Sequence, residues 1–176
     1  GSYVAEKLRA DWIRWLAKRS TWSEIGAEFP KMLAPEPDIV CLSQQARLAR
    51  DDRTVMAEAE KLWLTMLEPP EACRPILDAL VASQRLSTDD VWARARRQLE
   101  ANRPGWTKTT LNYLPDSQMP DSKALDSATN SAMSYLVRQP ANWHASRAGR
   151  ELATFAIQRL ATNDPRVAAD ELEKIK

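Results

Sequence analysis

Tryptophan is the residue type of this chain with the most evident potential for ligand binding. The seven tryptophans are Trp12, Trp15, Trp22, Trp63, Trp92, Trp106 and Trp143. Indole rings can stack on sugars, but at core-facing helical positions they more often fill a hydrophobic core. Only Trp106 and Trp143 stand beside proline and glycine corners. We therefore expect these two to be the exposed tryptophans and name them as candidates for weak contact with a glycan.

The two cysteines, Cys41 and Cys73, fall on neighbouring predicted helices. One interpretation is a single disulfide, which would indicate an oxidising compartment. The other is a pair of buried free thiols, since unpaired cysteine is among the most buried residue types. The residues alone leave both interpretations open.

The remaining reactive side chains form no catalytic or metal-binding pattern. His144 is the only histidine and has no partner at ligand spacing. The carboxylates are scattered over separate helices, and nothing selects one as the acid that glycosidic cleavage needs. There is no phosphate-cradling glycine-rich loop and no nucleophile elbow. We name no catalytic, metal-binding or cofactor-binding residue and expect no cofactor.

The densest basic cluster comprises Arg94, Arg96 and Arg97. Arg94 and Arg97 can lie on a solvated helix face with acidic neighbours, which is the interpretation we favour over a phosphate site. The net charge of +1 likewise gives no reason to expect nucleic acid or anionic lipid as a partner.

Composition is that of a globular protein, with 176 residues, 44% of them apolar and 28% charged. No apolar run approaches the roughly 18 to 20 residues of a membrane span. Residues 1–2, Gly-Ser, are interpreted as a tag remnant and residues 3–176 as part of a longer domain. The lack of a leader sequence then says nothing about where the parent protein resides.

Helical periodicity runs through nearly the whole chain and predicts about ten helices, separated by proline corners. Leu8, Trp12, Trp15 and Leu16 are expected on the buried face of the first helix. The eighth helix is expected to run unbroken through the apolar series Leu125, Ala128, Ala132 and Leu136. The tenth is expected to present Ala168, Leu172 and Ile175.

Helix starts are predicted from capping residues. Thr21 with Glu24 is typical of a capping box, Asp38 is a credible N-cap, and Asp164 precedes a first-turn proline. Pro75 is compatible with a helix only in its first turn.

Short helices that pair through brief turns favour an all-α fold, an irregular α-solenoid or superhelix of antiparallel helix hairpins. A closed orthogonal bundle is the competing arrangement. No run shows the alternation and turn chemistry of a strand.

Several segments occur in an order that is characteristic of one family. They are the opening YVAEKLRADWIRWLAKRSTW, EKLWLT at 60–65, EACRPILDAL from 71, DDVWARARRQLEAN at 89–102, NYLP at 112–115 and FAIQRLATNDPRVAADEL at 155–172. Together they resemble the N-terminal superhelical, U-shaped domain of the soluble lytic murein transglycosylases of the Gram-negative periplasm. The match is weakest over 114–147.

That resemblance implies a scaffold rather than a catalyst. In the family, a helical superhelix supports a C-terminal lysozyme-like domain, whose catalytic Glu cleaves the β-1,4 bond between N-acetylmuramic acid and N-acetylglucosamine in peptidoglycan and leaves 1,6-anhydro products. The family's Glu-Ser and Gly-Leu-Met-Gln motifs are absent from this sequence. Residues 3–176 are thus expected to be non-catalytic, with the catalytic domain downstream.

The resemblance also implies a disulfide between Cys41 and Cys73, a periplasmic location and a role in cell-wall turnover. The implied partners are the protein's own downstream catalytic domain, peptidoglycan through the parent protein, and other cell-wall proteins. The alternative is a stand-alone helical-repeat adapter that binds a protein partner. No motif supports a small-molecule enzyme.

Overall fold

The structure, a computed structural model, describes residues 2–174, so Gly1 of the proposed tag remnant and the predicted core position Ile175 lie outside it. Across those residues the chain is helical, with no strand, and the predicted all-α class is confirmed. The α-helices are α1 (Tyr3–Lys18), α2 (Trp22–Glu28), α3 (Pro37–Leu48), α4 (Val55–Thr65), α5 (Arg74–Ala82), α6 (Thr88–Glu100), α7 (Pro104–Leu111), α8 (Ser122–Asn130), α9 (Ala132–Arg138), α10 (Arg147–Asn163) and α11 (Pro165–Lys174). Short 3-10 turns occupy Phe29–Lys31, Glu71–Cys73, Asp116–Gln118 and Trp143–Ala145.

The predicted eighth helix is two helices in the structure, because the helical conformation is interrupted at Ser131. The backbone of Ser131 is extended, with φ −151° and ψ 86°, and ends α8 before α9 begins. Just before the break, the Thr129 hydroxyl donates to the backbone carbonyls of Leu125 and Asp126. A run of Thr, Asn and Ser favours such local bonds over helix continuation, which explains the extra helix end.

The chain divides into two compact units, Gly1–Ser87 and Thr88–Lys176. In the first unit α1 packs on α2 and α3, and α4 packs on α5. A buried cluster joins α1, α2 and α3 through Ala10, Ile13, Leu16, Ile25, Ile39, Leu42 and Ala46. Pro75 lies in the first turn of α5, as predicted.

In the second unit most helices pack on the next helix in the sequence: α6 on α7, α8 on α9, and α10 on both α9 and α11. The long helix α10 also reaches back to α8 and α6. Its buried side chains include Leu152, Phe155 and Ala156. This packing between sequence neighbours is the habit expected of an irregular α-solenoid.

Four helices are followed by a residue in the left-handed backbone conformation, a position where glycine is usual, and none of the four residues is glycine. Ser20, Asp51, Gln84 and Asn102 follow α1, α3, α5 and α6 with φ between 56° and 63°. A side chain in this region costs roughly 1–2 kcal/mol compared with glycine. The chain therefore accepts local strain at its corners, consistent with its having only four glycines.

Capping departs from prediction at two of three helix starts. Thr21 precedes α2, but its hydroxyl donates to the Leu16 carbonyl at 2.9 Å instead of forming a capping box. Asp38 lies inside α3, whose N-cap is Glu36. The third is confirmed, because the Asp164 carboxylate accepts from the backbone N–H of residues 166 and 167 at the start of α11.

Candidate functional site

The two cysteines are joined in a disulfide in the first unit. The Cys41 and Cys73 sulfurs are 2.03 Å apart and their Cα atoms 4.9 Å apart. Both residues are buried. Of the two interpretations left open by the residues, the structure has the disulfide that the family resemblance implied.

The bond ties the middle of α3 to the 3-10 turn that leads into α5. Beside it, the Gln45 side-chain amide donates to the Ala72 carbonyl at 2.6 Å. The covalent link and the hydrogen bond hold the same two segments together. This corner of the first unit is thus fixed by more than apolar packing.

The tryptophans are distributed differently from the prediction. Trp63 and Trp92 are fully buried, as expected of core residues. Trp106 and Trp143 were predicted to be exposed, but each is about half-buried. Trp22 is half-buried as well. The exposed pair is Trp12 and Trp15, each with 43% of its surface accessible.

The error on α1 has a physical cause. Its buried residues are Ala10, Ile13 and Leu16, so the apolar face that packs on α2 and α3 is not the face that carries Leu8, Trp12 and Trp15. A helical wheel of residues 3–18 contains both apolar faces, and that signal was available in the sequence.

Trp143 lines a cavity of about 540 Å³ in the second unit. The apolar part of the lining includes Met119, Pro120, Tyr135, Pro140 and Leu152. His144 packs edge-on against the Trp143 ring, with centroids 5.8 Å apart. Trp106 is not among the residues that line this cavity.

Gly149 allows the Trp143 segment to approach α10. A Cβ at position 149 would lie 2.0 Å from the Trp143 carbonyl oxygen, which no side chain permits. The Arg150 guanidinium donates to the His144 carbonyl at 2.5 Å, and the Ser146 hydroxyl accepts from the Gly149 N–H at 3.0 Å. The position of Trp143 is thus set by backbone contact with α10.

Two charged groups in the lining of this cavity, Asp121 and Arg147, already have structural partners. The Asp121 carboxylate accepts from the N–H groups of residues 123 and 124 and caps α8. Arg147 pairs with Asp89 and with Glu151. Burial raises the pKa of the Tyr135 phenol. The cavity thus combines an aromatic and apolar lining with charged groups that are engaged in capping and ion pairs.

Among the described residues, the carboxyl groups with a shifted pKa have a lowered pKa, whereas a general acid needs a raised one. Hydrogen bonds from Thr54, then Arg47, hold the pKa of Asp52 at about 2. A hydrogen bond from Lys31 leads the effects that lower the pKa of Glu28. An acid that protonates a glycosidic oxygen needs a raised pKa.

Asp38 is the partly buried case. Burial opposes its ionisation, but the hydrogen bonds and charge of Arg14 outweigh burial, so its pKa lies below the usual value. Arg14 donates to Asp38 at 2.7 Å and to Asp11 at 3.0 Å, and also contacts Glu36. Asp38, predicted as a cap, instead tethers α3 to α1.

Arg94 contradicts the solvated-face interpretation of the basic cluster. Only 2% of its surface is exposed, and burial lowers the pKa of its guanidinium to about 10. Its Nε donates to the Thr110 hydroxyl of α7 at 3.3 Å. Arg97 is exposed as predicted, and Arg96 pairs with Glu151 of α10 at 2.7 Å. The cluster thus contributes to helix packing.

Within residues 2–174, no three His, Cys, Asp or Glu side chains are grouped so as to hold a metal ion. None of the helices in this part of the chain is long and apolar enough to cross a membrane.

The fold is similar to that of solved lytic transglycosylases. The 70-kDa soluble lytic transglycosylase of Escherichia coli aligns with a TM-score of 0.71 at 22% identity, over 94% of this chain and 26% of that one. A complex of the 70-kDa soluble lytic transglycosylase with bulgecin A gives the same values. An inactive mutant of the lytic transglycosylase Slt of Pseudomonas aeruginosa aligns with a TM-score of 0.63 at 22% identity, over 98% of this chain and 28% of that one.

These similarities show a shared fold, and they confirm the predicted all-α superhelical class. The chain spans about a quarter of the length of the structures it matches. No protein-family model matches the sequence. No curated protein matches it either.

Proposed function

We propose that this chain is a non-catalytic helical scaffold segment of a periplasmic lytic transglycosylase. The observation that carries the proposal is the fold similarity to such enzymes, which extends over 94% of this chain and only 26% of the matched chain. A segment of that size fits a supporting part of a larger enzyme. The resemblance of segments such as EACRPILDAL and DDVWARARRQLEAN supports the same family.

In this proposal the parent enzyme cleaves the β-1,4 bond between N-acetylmuramic acid and N-acetylglucosamine in peptidoglycan. The sugar's own hydroxyl replaces water as the nucleophile, which gives 1,6-anhydro products. The segment's partners are the catalytic domain downstream, peptidoglycan through the parent protein, and other cell-wall proteins. Its role is cell-wall turnover, by holding the catalytic domain in position.

The chemistry of the described residues favours a scaffold role over a catalytic one. Glycoside cleavage needs a carboxyl group that stays protonated near neutral pH in a cleft that grips sugars. The pKa values of Glu28, Asp38 and Asp52 are instead lowered by their partners. The disulfide supports a periplasmic location, since such bonds persist in oxidising compartments.

If the chain contacts glycan directly, Trp143 is the better candidate of the two tryptophans, Trp143 and Trp106. Trp143 lines the 540 Å³ cavity together with Tyr135 and other apolar side chains. Trp106 is half-buried on α7 and does not line that cavity. A partly exposed indole ring in such an aromatic and apolar lining suits weak stacking on a sugar.

The test is release of 1,6-anhydro-muropeptides from purified peptidoglycan, by the isolated chain and by the parent polypeptide. We expect release by the parent and none by the isolated chain. Release by the isolated chain that one Asp or Glu substitution abolishes would overturn the scaffold proposal. A parent without such release would instead support the stand-alone adapter.

A sedimentation assay with purified sacculi tests the glycan contact. We expect Trp143→Ala to reduce the fraction of the isolated chain that sediments, and the matched variant Trp106→Ala to leave it nearly unchanged. Equal losses for both variants, or none for either, would contradict the assignment of the contact to Trp143.

A further inference from the structure

Helix α1 carries a second apolar face that the first unit leaves bare. Val4, Leu8, Trp12 and Trp15 are 62%, 65%, 43% and 43% exposed. We call these four residues the α1 stripe. On a helix with 3.6 residues per turn they fall within a quarter of the circumference, centred roughly opposite Ile13, and Trp12 borders Leu16 at the edge of the buried face.

The aromatic part of the stripe is held in one arrangement. The Trp12 and Trp15 rings are stacked, with centroids 4.8 Å apart and an interplanar angle of 12°. The Arg19 guanidinium lies 4.1 Å from the Trp15 ring centroid. Because one ring face already meets Trp12, the guanidinium must cover the other.

At Trp15 this stacking argues against a sugar as the ligand. A sugar needs an open aromatic face, and both faces of Trp15 are occupied. The stacked rings and the exposed side chains of Val4 and Leu8 together form an apolar surface along one side of α1. The spacing of residues 4, 8, 12 and 15, in steps of three and four, is that of a seam between two helices.

The edge of the stripe is basic. Lys7 and Lys18 are exposed on one side of it. Asp11, on the same side, is already paired with Arg14 at 3.0 Å. A helix lying along the stripe would therefore be favoured if acidic residues flank its own apolar face.

We propose that the α1 stripe is covered by an amphipathic helix of the longer polypeptide to which this chain belongs, apolar on one side and acidic at its edge. The inference rests on the proposed function, under which this chain is one segment of a helical scaffold. The solved structures it matches are about four times longer than the matched part, so most of such a polypeptide lies outside residues 1–176. Within the described residues, helices pack largely on their neighbours in sequence, and α1 is packed on α2 and α3 from one side only.

Hydroxyl-radical footprinting with mass spectrometry tests this by comparing the isolated chain with the parent polypeptide. We expect oxidation of Trp12 and Trp15 to fall about fivefold or more in the parent, as 43% exposure drops to that of a packed interior. Trp63, fully buried, is the folding control and should stay protected in both. Equal oxidation of the stripe in both proteins would overturn the proposal.

A pair of variants separates docking from a change in α1 itself. Leu8→Glu should lower the melting temperature of the parent by several degrees while moving that of the isolated chain by less than about 2 °C, since its side chain is exposed there. Leu8→Met, which keeps volume and apolarity, should have little effect in either. An equal effect of Leu8→Glu in both proteins would contradict docking in the parent.

Two further results distinguish the alternatives. Oxidation of the α1 stripe in the isolated chain could fall as the protein concentration rises, together with a dimer in analytical sedimentation. In that case a second copy of the chain covers the stripe and the proposal is wrong. Muropeptide release by the parent is scored separately. A parent that releases muropeptides with an unprotected stripe overturns only the docking, whereas a protected stripe without release overturns only the enzyme assignment.

Discussion

Removing the disulfide should cost the first unit a substantial part of its stability. The bond closes a loop with a sequence separation of 32. In the chain-entropy model such a loop is worth roughly 3.7 kcal/mol at 25 °C. For a chain of this length, 1 kcal/mol shifts the melting temperature by roughly 2–4 °C. The double variant Cys41→Ala/Cys73→Ala should therefore melt about 7–15 °C below the oxidised protein.

The assay is thermal unfolding followed by far-ultraviolet circular dichroism, on oxidised protein, reduced protein and the double variant. Reduced protein is the matched control, because it keeps both buried sulfur atoms while losing the loop constraint. The variant should melt at or slightly below the reduced form, since it also loses packed volume. If oxidised and reduced protein melt within about 2 °C of each other, the stabilisation by loop closure is refuted. Non-reducing peptide mapping should find residues 41 and 73 linked in the oxidised sample.

Three further changes test other parts of the structure. Gly149→Ala should destabilise the chain by roughly 1–3 kcal/mol in urea unfolding, because its Cβ would lie 2.0 Å from a carbonyl oxygen, whereas the control Gly105→Ala, with nothing within 4 Å, should not. Asp52→Asn should reduce the loss of folding stability between about pH 4 and pH 2. The pKa of Asp52 is lowered to about 2 in the folded protein, so the ionised carboxylate stabilises the fold at pH values above its ordinary pKa. That stabilisation is lost as the pH falls through the folded pKa. Melting temperature measured against pH for both proteins checks that slope. Gln84→Gly should raise stability by about 1 kcal/mol in the same unfolding assay, because the φ of 58° there costs a side chain but not glycine; a loss of stability would contradict the strain argument.

Proline and helical periodicity were enough to predict the all-α class and most helix positions. Pro75 in the first turn of α5 and Asp164 as a cap of α11 follow from local chemistry that needs no tertiary context. The break at Ser131 lies at the limit of such reasoning, since the apolar series continues across it while the polar residues beside it disrupt the helix. Asp38 was misplaced by one step of the same logic: Pro37 takes the first helical position, so the preceding residue becomes the cap.

Arg94 shows why residue type is a weaker guide than position. The buried residues of α6 are Val91, Trp92, Arg94, Ala95, Gln98 and Leu99. Their spacing is the apolar stripe expected of an amphipathic helix, with two polar residues inside it. Hydropathy alone assigns Arg94 to solvent, whereas its spacing of three residues from Val91 and four from Gln98 places it on the buried face of α6. The position was the correct signal, and the Thr110 hydroxyl is one of the groups that receive its guanidinium.

The tryptophans of α1 mark a different limit. Sequence periodicity gives the angle between two apolar faces of a helix, but not which of them is covered, because covering depends on the neighbours that pack there. In the first unit α2 and α3 take the face of Ile13 and leave Trp12 and Trp15 outside. Trp12 and Trp15 each keep 43% of their surface in solvent, so α1 gains only part of the stabilisation that full burial of two indole rings would give. A helix packed on the α1 stripe would bury that remaining surface, so the exposed tryptophans point to contacts beyond these residues, whereas the half-buried Trp143 lines a cavity within its own unit.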